Sequence, residues 1–370
     1  MNKEPFRIVG GGIAGLTAVL CLAKRGLASQ LFERAPQFEE VGAGLQLSPN
    51  ALKVLFALGL RDKLEGHAVA PSRIAIHSGL SGRPIAHVPL GKTAEQRYGT
   101  PYWVMHRADL QRVLVEACTA SELITLQTDR DIAPDVGVDD GGDHLPTIAA
   151  DGVNSRWRSA IRNDAATRFT GTVAWRAVTQ SDSSEASNPE TQVWFGPNAH
   201  LVSYPLRGGR ARNLVAIART NKIEGMLDAF AAWSGDIRDR LMGCRDWSPW
   251  PLKAVDPKGA WYKHDTVLLG DSAHAMLPFA AQGAAMAIED AWVLAQFLSQ
   301  PVEPAQAFVR FEAARKARVS RVWREAERNG RIYHMTGPMA LGRDTVMRAS
   351  GPQRLLARYD WLYGWSPEGL

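Results

Sequence analysis

The chain has 370 residues, 45% hydrophobic and 22% charged, with 43 Lys and Arg against 38 Asp and Glu, a net charge of +5. That length exceeds what one hydrophobic core fills, so two packed lobes are expected, and the composition excludes a disordered or fibrous chain. The basic residues are spread without a block of like charge, which argues against a nucleic-acid surface; Cys21, Cys118 and Cys244 stand far apart, as in a reducing compartment.

Phe6 to Val9 is a short apolar run that soon meets glycines, too brief for a signal peptide or membrane span, so a cytoplasmic protein without a span is expected. Ile13, Leu16, Leu20 and Ala23 then recur at helical spacing up to Gly26, and the run Gln30 to Phe32 ends on Glu33. This is a β-α-β unit. Arg107 to Ala120 reads as an amphipathic helix, Leu123 to Leu126 as a strand, and Leu145 to Ala150 as another before the turn Asp151-Gly152.

From Phe169 the texture becomes β-like, with FTGTVAWRAV, TQVWFG, HLVSYPL and NLVAIA separated by Gly, Pro, Asn and charged residues. The polar stretch Ser181 to Glu190 reads as a surface loop. Helical patterns return at Glu224 to Met242, a strand pattern at Thr266 to Leu269, and long helices at Gln282 to Leu298 and Glu303 to Arg328. The chain leaves a nucleotide-binding lobe and comes back to it.

Gly10-Gly11-Gly12-Ile13-Ala14-Gly15 matches G-x-G-x-x-G, after a strand and opening a helix. Gly10 permits the tight turn, Gly12 lets a diphosphate approach the backbone, and Gly15 allows close packing of helix on strand. The helix N-terminus adds free N–H groups and partial positive charge. Glu33 closes the second strand, placed to accept hydrogen bonds from ribose hydroxyls. At this step FAD and NAD are both open.

Three further pieces accompany the fingerprint: ADGVNSRWR from Ala150 to Arg158, Gly270-Asp271, and HRADL with Arg107 at a helix start. In this order, from about Ile8 to Leu298, they resemble the single-component FAD-dependent aromatic hydroxylases, which include salicylate and 3-hydroxybenzoate hydroxylases. The resemblance implies an α/β fold with a Rossmann-like FAD-binding domain of the GR2 type, an inserted, mostly β substrate-binding domain and C-terminal helices. The FAD-binding parts would be residues 1–70, 99–168 and 255–300, the substrate-domain parts 71–98 and 169–254, and the C-terminal helices 301–370.

On the same resemblance Asp271 accepts a hydrogen bond from the flavin ribityl chain, and the backbone N–H groups around Gln282, Gly283 and Ala284 face the diphosphate or the pyrimidine edge of the flavin. Arg107 contacts the FAD chain, and Asp151 is linked to FAD and pyridine-nucleotide binding. Ala14 and Arg34 join the cofactor-binding set, and Pro278 and Phe279 wall the substrate pocket. No second glycine fingerprint serves NADH or NADPH, as in a family whose reductant binds transiently. The segment from Asp131 to Gly152 is shorter than the family's usual one and rich in Asp and Gly. WSPWP, Trp247 to Pro251, lacks the Trp-x-Trp spacing of flavin-dependent halogenases.

His200 and Tyr204 lie four apart in a β-like run, so period-two alternation aims both at one face. Hydroxylases of the resembled type carry a similar His-x-x-x-Tyr before a Pro, and the resemblance assigns the histidine to activating a phenol. In that chemistry O2 yields a flavin C4a-hydroperoxide with an electrophilic oxygen, so the substrate must be electron-rich, and a histidine titrating near neutrality can take the phenolic proton. His274 is read as scaffolding for the loop. No metal-ligand spacing is present among the scattered histidines and cysteines.

The expected function is therefore an NAD(P)H- and FAD-dependent monooxygenase acting on a small phenolic or hydroxy-heteroaromatic acid, as monomer or homodimer. Alternatives are a flavin monooxygenase acting on a quinone-biosynthesis intermediate or secondary metabolite, and a flavin-fold binding protein without turnover. Trp361, Leu362, Tyr363 and Trp365 form an apolar surface, to be covered internally or by a partner.

Overall fold

The computed structural model describes residues 4–38, 43–136, 145–162, 167–180 and 189–367; part of the Asp- and Gly-rich segment and most of the polar loop 181–190 lie outside them. The strands in chain order are β1 Phe6–Val9, β2 Ser29–Phe32, β3 Gly44–Leu47, β4 Arg73–Ser78, β5 Pro84–Pro89, β6 Trp103–His106, β7 Ile124–Gln127 and β8 Thr147–Ala149. They continue with β9 Arg168–Gln180, β10 Thr191–Gly196, β11 Ala199–Leu206, β12 Ala211–Arg219, β13 Ser248–Ala254, β14 Tyr262–Lys263 and β15 Thr266–Leu268.

Among the described residues one sheet runs β14-β15-β8-β1-β2-β7, parallel except for the short edge strand β14. The helix Ile13–Ala23 crosses from β1 to β2 and is buried nearly all round, because it lies between this sheet and the helix Gly283–Leu298. An apolar helix of this kind has no polar face to offer water, so its burial on all sides is what its sequence requires.

The larger sheet runs β13-β9-β12-β11-β10-β4-β5 and is antiparallel apart from β10 on β4. Alternation splits its side chains between two faces. Val173, Trp175, Leu201, Leu214 and Ala216 go to the outer face, where Phe230 and Trp233 from the turn between two short helices, and Ile237 and Leu241 from the second of them, cover them. Trp250 of the WSPWP stretch lies on edge strand β13, where Pro249 and Pro251 are tolerated.

Two helical expectations change. Glu224 to Met242 is two helices, Met226–Ala229 and Gly235–Met242, because the turn at Trp233-Ser234 packs Trp233 against Gly79 and Gly196. The long C-terminal helix runs Pro304–Tyr333, past Arg328, since Gly330 leaves room for the Phe279 ring and is buried in the process. The C-terminal aromatic cluster packs internally: Leu362 and Tyr363 are buried, and the Arg321 guanidinium sits 3.8 Å from the centre of the Trp361 ring.

A buried ionic network ties these parts together. Glu289 and Asp290 are adjacent on Gly283–Leu298 and both are fully buried. Arg315 donates Nε to Asp290 Oδ1 at 2.7 Å and pairs with Glu289 Oε2 at 2.7 Å. Arg318 grips both Glu289 oxygens at 2.7 Å and donates to the Trp361 and Leu362 carbonyls at 3.0 Å. Burial pushes the Asp290 carboxyl up, but His274 and Arg315 together hold it below the usual carboxylate range. Removing one member leaves a buried charge without its partner, which costs about 3–5 kcal/mol. Asp290→Ala is therefore expected to lose about that much stability in chemical unfolding of the FAD-bound protein, whereas Glu116→Ala, at an exposed pair with Arg112, should lose under about 1 kcal/mol.

Candidate active site

A cavity of about 1580 Å³ lies between the inner face of the large sheet, the glycine turn and the C-terminal helices. Alternation along β11 turns His200, Val202 and Tyr204 into it, as the spacing predicts. Gly44 makes room for Tyr204: a Cβ there would meet the phenol ring at 2.5 Å.

On the other side the glycine turn is shaped for close approach. Gly10 has φ +107, and a Cβ would collide with the Ala150 carbonyl; a Cβ on Gly15 would collide with the Gly10 carbonyl. Gly10 and Gly15 thus hold the turn. Gly12 differs, because a Cβ on it would meet nothing within 4 Å, and the residue borders the cavity as the N-cap of Ile13–Ala23 with no side-chain cap. The open space lies where the helix presents unpaired N–H groups.

Ala14, Arg34 and Arg107 also border the cavity, the last opening the helix Arg107–Thr119. Asp271 borders it with an exposed carboxylate, and Gly270 before it, φ +62, packs against Ala14 and Ala287. Gly283 and Ala284 present the start of Gly283–Leu298, and Gln282 is its buried N-cap, donating to Ser48 Oγ at 2.9 Å. An uncapped helix start, two arginines, a carboxylate at the far wall and small residues between them suit a long ligand with a diphosphate, a polyol and a flat ring; the residues fit FAD.

Two expected cofactor residues are engaged within the protein. Glu33 accepts from Gly11 N at 2.6 Å and Ala35 N at 2.8 Å, which keeps its carboxylate at the glycine turn. Asp151 Oδ2 accepts from Arg156 N at 2.8 Å, steadying the helix Arg156–Ile161, while its Oδ1 is buried without a protein partner. His274 faces away from the cavity: it is buried against Trp261 and bonded through Nε2 to Asp290 at 2.6 Å.

Pro278 and Phe279 form the cavity wall opposite β11. The Phe279 ring stands edge-on to His200 at 5.1 Å, and its carbonyl accepts from Asn329 Nδ2 and Tyr333 Oη. His200 is buried and its Nδ1 lies 2.8 Å from His334 Nε2. Burial, and then His334, lower its basicity well below that of an ordinary histidine, while burial raises the Tyr204 phenol above its ordinary value, so both are neutral near pH 7.

Arg176 on β9 brings a cation to the same cavity, 5.3 Å from the centre of the Trp250 ring. Burial and then Arg107 push its guanidinium below the ordinary value, yet an arginine stays charged. Among the described residues no carboxylate pairs with it. Sequence reasoning missed it, although a lone charge in the apolar strand FTGTVAWRAV was a signal. It missed His334 too, which follows a helix expected to end at Arg328 and carried no local signal.

Comparison with known proteins places the chain. A family described as "FAD binding domain" matches residues 5–230 and 246–326. The chain is 34% identical to 3-hydroxybenzoate 6-hydroxylase of Polaromonas naphthalenivorans, over 98% of this chain and 96% of that one. It is 36% identical to 3-amino-4-hydroxybenzoate 2-monooxygenase of Streptomyces cremeus, over 96% and 94%. In fold it resembles HpxO of Klebsiella pneumoniae, solved with FAD and uric acid, with TM-score 0.86 at 21% identity, covering 100% and 99%. The chain belongs to the FAD-binding family of single-component aromatic hydroxylases. It is an FAD-dependent monooxygenase, and FAD is its cofactor.

Two measurements follow from this geometry. Gly12→Val should fold as the parent does and lose FAD, with affinity down at least about 100-fold in flavin fluorescence titration, whereas Gly15→Val should fail to fold, because its side chain meets backbone. For pH, the folded His334 has its pKa lowered from 6.5 to about 4 by burial and then by Arg219. The unfolded chain therefore binds more protons between those values, so stability is full above about pH 6.5 and falls as pH drops toward 4. Unfolding midpoints of His334→Gln should depend less on pH across that window.

Proposed function

We propose that this protein hydroxylates a small phenolic or hydroxy-heteroaromatic acid at the expense of NADH or NADPH and O2. The observation that carries the reading is the company in one cavity of a neutral buried histidine, a tyrosine hydroxyl and an arginine without a carboxylate partner among the described residues, against apolar walls. FAD, reduced by the nicotinamide and reoxidised by O2, would supply the electrophilic oxygen.

The chain's own residues would prepare the ring for it. Arg176 binds the carboxylate, an interaction strengthened by the low dielectric of the cavity. Val202, Val215, Ile217 and Phe279 provide the apolar surface for the ring. His200 accepts the phenolic proton at Nε2, since its Nδ1 is engaged by His334, and the resulting phenolate pushes electron density into the ring. Tyr204, protonated, donates a hydrogen bond to the phenolate oxygen and so stabilises the charge. The names of the relatives support an acid of this size: hydroxybenzoate and aminohydroxybenzoate for those above, and 6-hydroxynicotinate for a monooxygenase of Bordetella bronchiseptica 32% identical over 89% of this chain.

The test is a screen of hydroxybenzoates, aminohydroxybenzoates and hydroxynicotinates for accelerated NADH or NADPH oxidation coupled to a hydroxylated product. With the substrate so found, His200→Ala should keep FAD and lose about 100- to 10,000-fold in coupled kcat. Arg176→Met should raise KM about 10- to 100-fold for the acid and leave it unchanged for the same compound lacking the carboxylate. If none of these acids accelerates coupled oxidation, the proposed substrate class is wrong.

A further inference from the structure

His200 is not alone. Its Nδ1 is 2.8 Å from His334 Nε2, with ring centres 5.0 Å apart, and both rings are buried, at 1% and 7% exposure. His334 caps the end of Pro304–Tyr333, and its carbonyl accepts from Asn198 N of the β10–β11 hairpin, so helix and hairpin hold the two rings at one junction. His200 borders the cavity and His334 does not, which orders the pair from the inside outward.

Two neutral imidazoles in one hydrogen bond have two proton arrangements. In one, His200 Nδ1–H donates to His334 Nε2, and His200 Nε2 is a free lone pair. In the other, His334 Nε2–H donates, and His200 carries its hydrogen on Nε2, where it cannot act as a base. Only the first lets His200 take a proton from a substrate. When it does, the imidazolium it becomes is buried, with Arg219 beside its partner His334, Arg176 lining the same cavity, and Tyr204 and Tyr333 as neutral phenols, none of which stabilises a cation. A buried charge of that kind is passed on where a path exists.

We propose that His334 is the proton acceptor behind His200, a positioning residue that fixes the basic tautomer of His200 and carries the substrate's proton to solvent. The substrate O–H bond breaks as His200 Nε2–H forms; His200 Nδ1–H breaks as His334 Nε2–H forms; His334 then releases its Nδ1 proton to water. The pair ends neutral, in the second arrangement, and the substrate stays in the cavity as an anion with one proton released. As the product leaves, His200 Nε2 gives its proton to the product oxygen, the shared proton returns from His334 Nε2 to His200 Nδ1, and His334 Nδ1 takes a proton from water, which restores the starting tautomer.

This rests on the proposed phenol-activating role of His200, and the test separates the two. The probe is the aromatic acid that wild type turns over in the screen, beginning with 3-hydroxybenzoate. His334→Gln keeps an amide oxygen that can accept from His200 Nδ1 but cannot take on its proton, and His334→Phe removes both functions. In the FAD-bound variants, KM should change less than about threefold, and coupled kcat at pH 7 should fall at least about tenfold for Gln and further for Phe. The deficit should shrink about tenfold per pH unit as pH approaches the phenol's own pKa, because the substrate then arrives as its anion. Recovery at high pH is what a purely structural role would not produce. If either variant, with FAD bound, matches wild type from pH 6 to 9, or is slower by one constant factor at every pH, the relay is overturned. His334→Gln decides the matter should His334→Phe not retain FAD. A wild type active on no aromatic acid overturns the substrate reading and, with it, this relay.

Discussion

The structure depends on four charges, three of them buried and the fourth, Arg318, largely so. Glu289 and Asp290 on one helix, with Arg315 and Arg318 on the next, are satisfied by one another, by His274, by Asn50 and by two C-terminal carbonyls. Such a cluster adds little net stability over apolar packing, because desolvating the ions offsets their attraction. It does penalise every arrangement in which a partner is missing. The network reaches the cofactor side through Asn50 and Gln282 and the substrate side through the helix that carries the arginines. From Arg318 to Tyr333 that helix is a rigid rod of about 22 Å, at 1.5 Å per residue. A fixed point at one end therefore fixes Tyr333 and His334 at the other.

The sequence made one half of the site legible and left the other half hidden, for reasons of range. The glycine turn, Asp271 and the start of Gly283–Leu298 are local features whose spacing carries their geometry. His200 and Tyr204 needed only the two-residue period of a strand, and β11 places both in the cavity. His334 reaches His200 across 134 residues of chain, and no local pattern encodes that contact. The helix expected over Glu303 to Arg328 runs on through Gly330 to Tyr333, although glycine usually weakens a helix. Here the Phe279 ring fills the space a side chain would take, so burial outweighs propensity. Glu289 and Asp290 did carry a signal: two acids in the otherwise apolar run MAIEDAW call for buried cations, and Arg315 and Arg318, three apart on the following helix, answer it.

Gly12 and Gly15 show how one motif serves two purposes. Gly15 is required by the fold, because the carbonyl of Gly10 occupies the place of a side chain. Gly12 is required by nothing in the protein itself; its open flank is meaningful only toward a ligand. Glu33 belongs with Gly15 in this respect, since its carboxylate already serves two backbone N–H groups of the turn. An acid at the end of the second strand can thus steady the turn as well as meet a ribose.

The low basicity of His200 looks at first like an argument against a base. Burial and then His334 oppose a lone imidazolium, but transfer within a His200–phenol pair creates one positive and one negative charge side by side, in a cavity whose Arg176 cation favours the phenolate. The balance changes once the proton leaves by way of His334. The cavity then holds only the anion, and the attraction of Arg176 and its neighbours acts on it without opposition. On the proposed function, a weakly basic buried histidine with an exit for its proton can generate a phenolate that a more basic one, holding the proton in place, would keep neutralised as an ion pair.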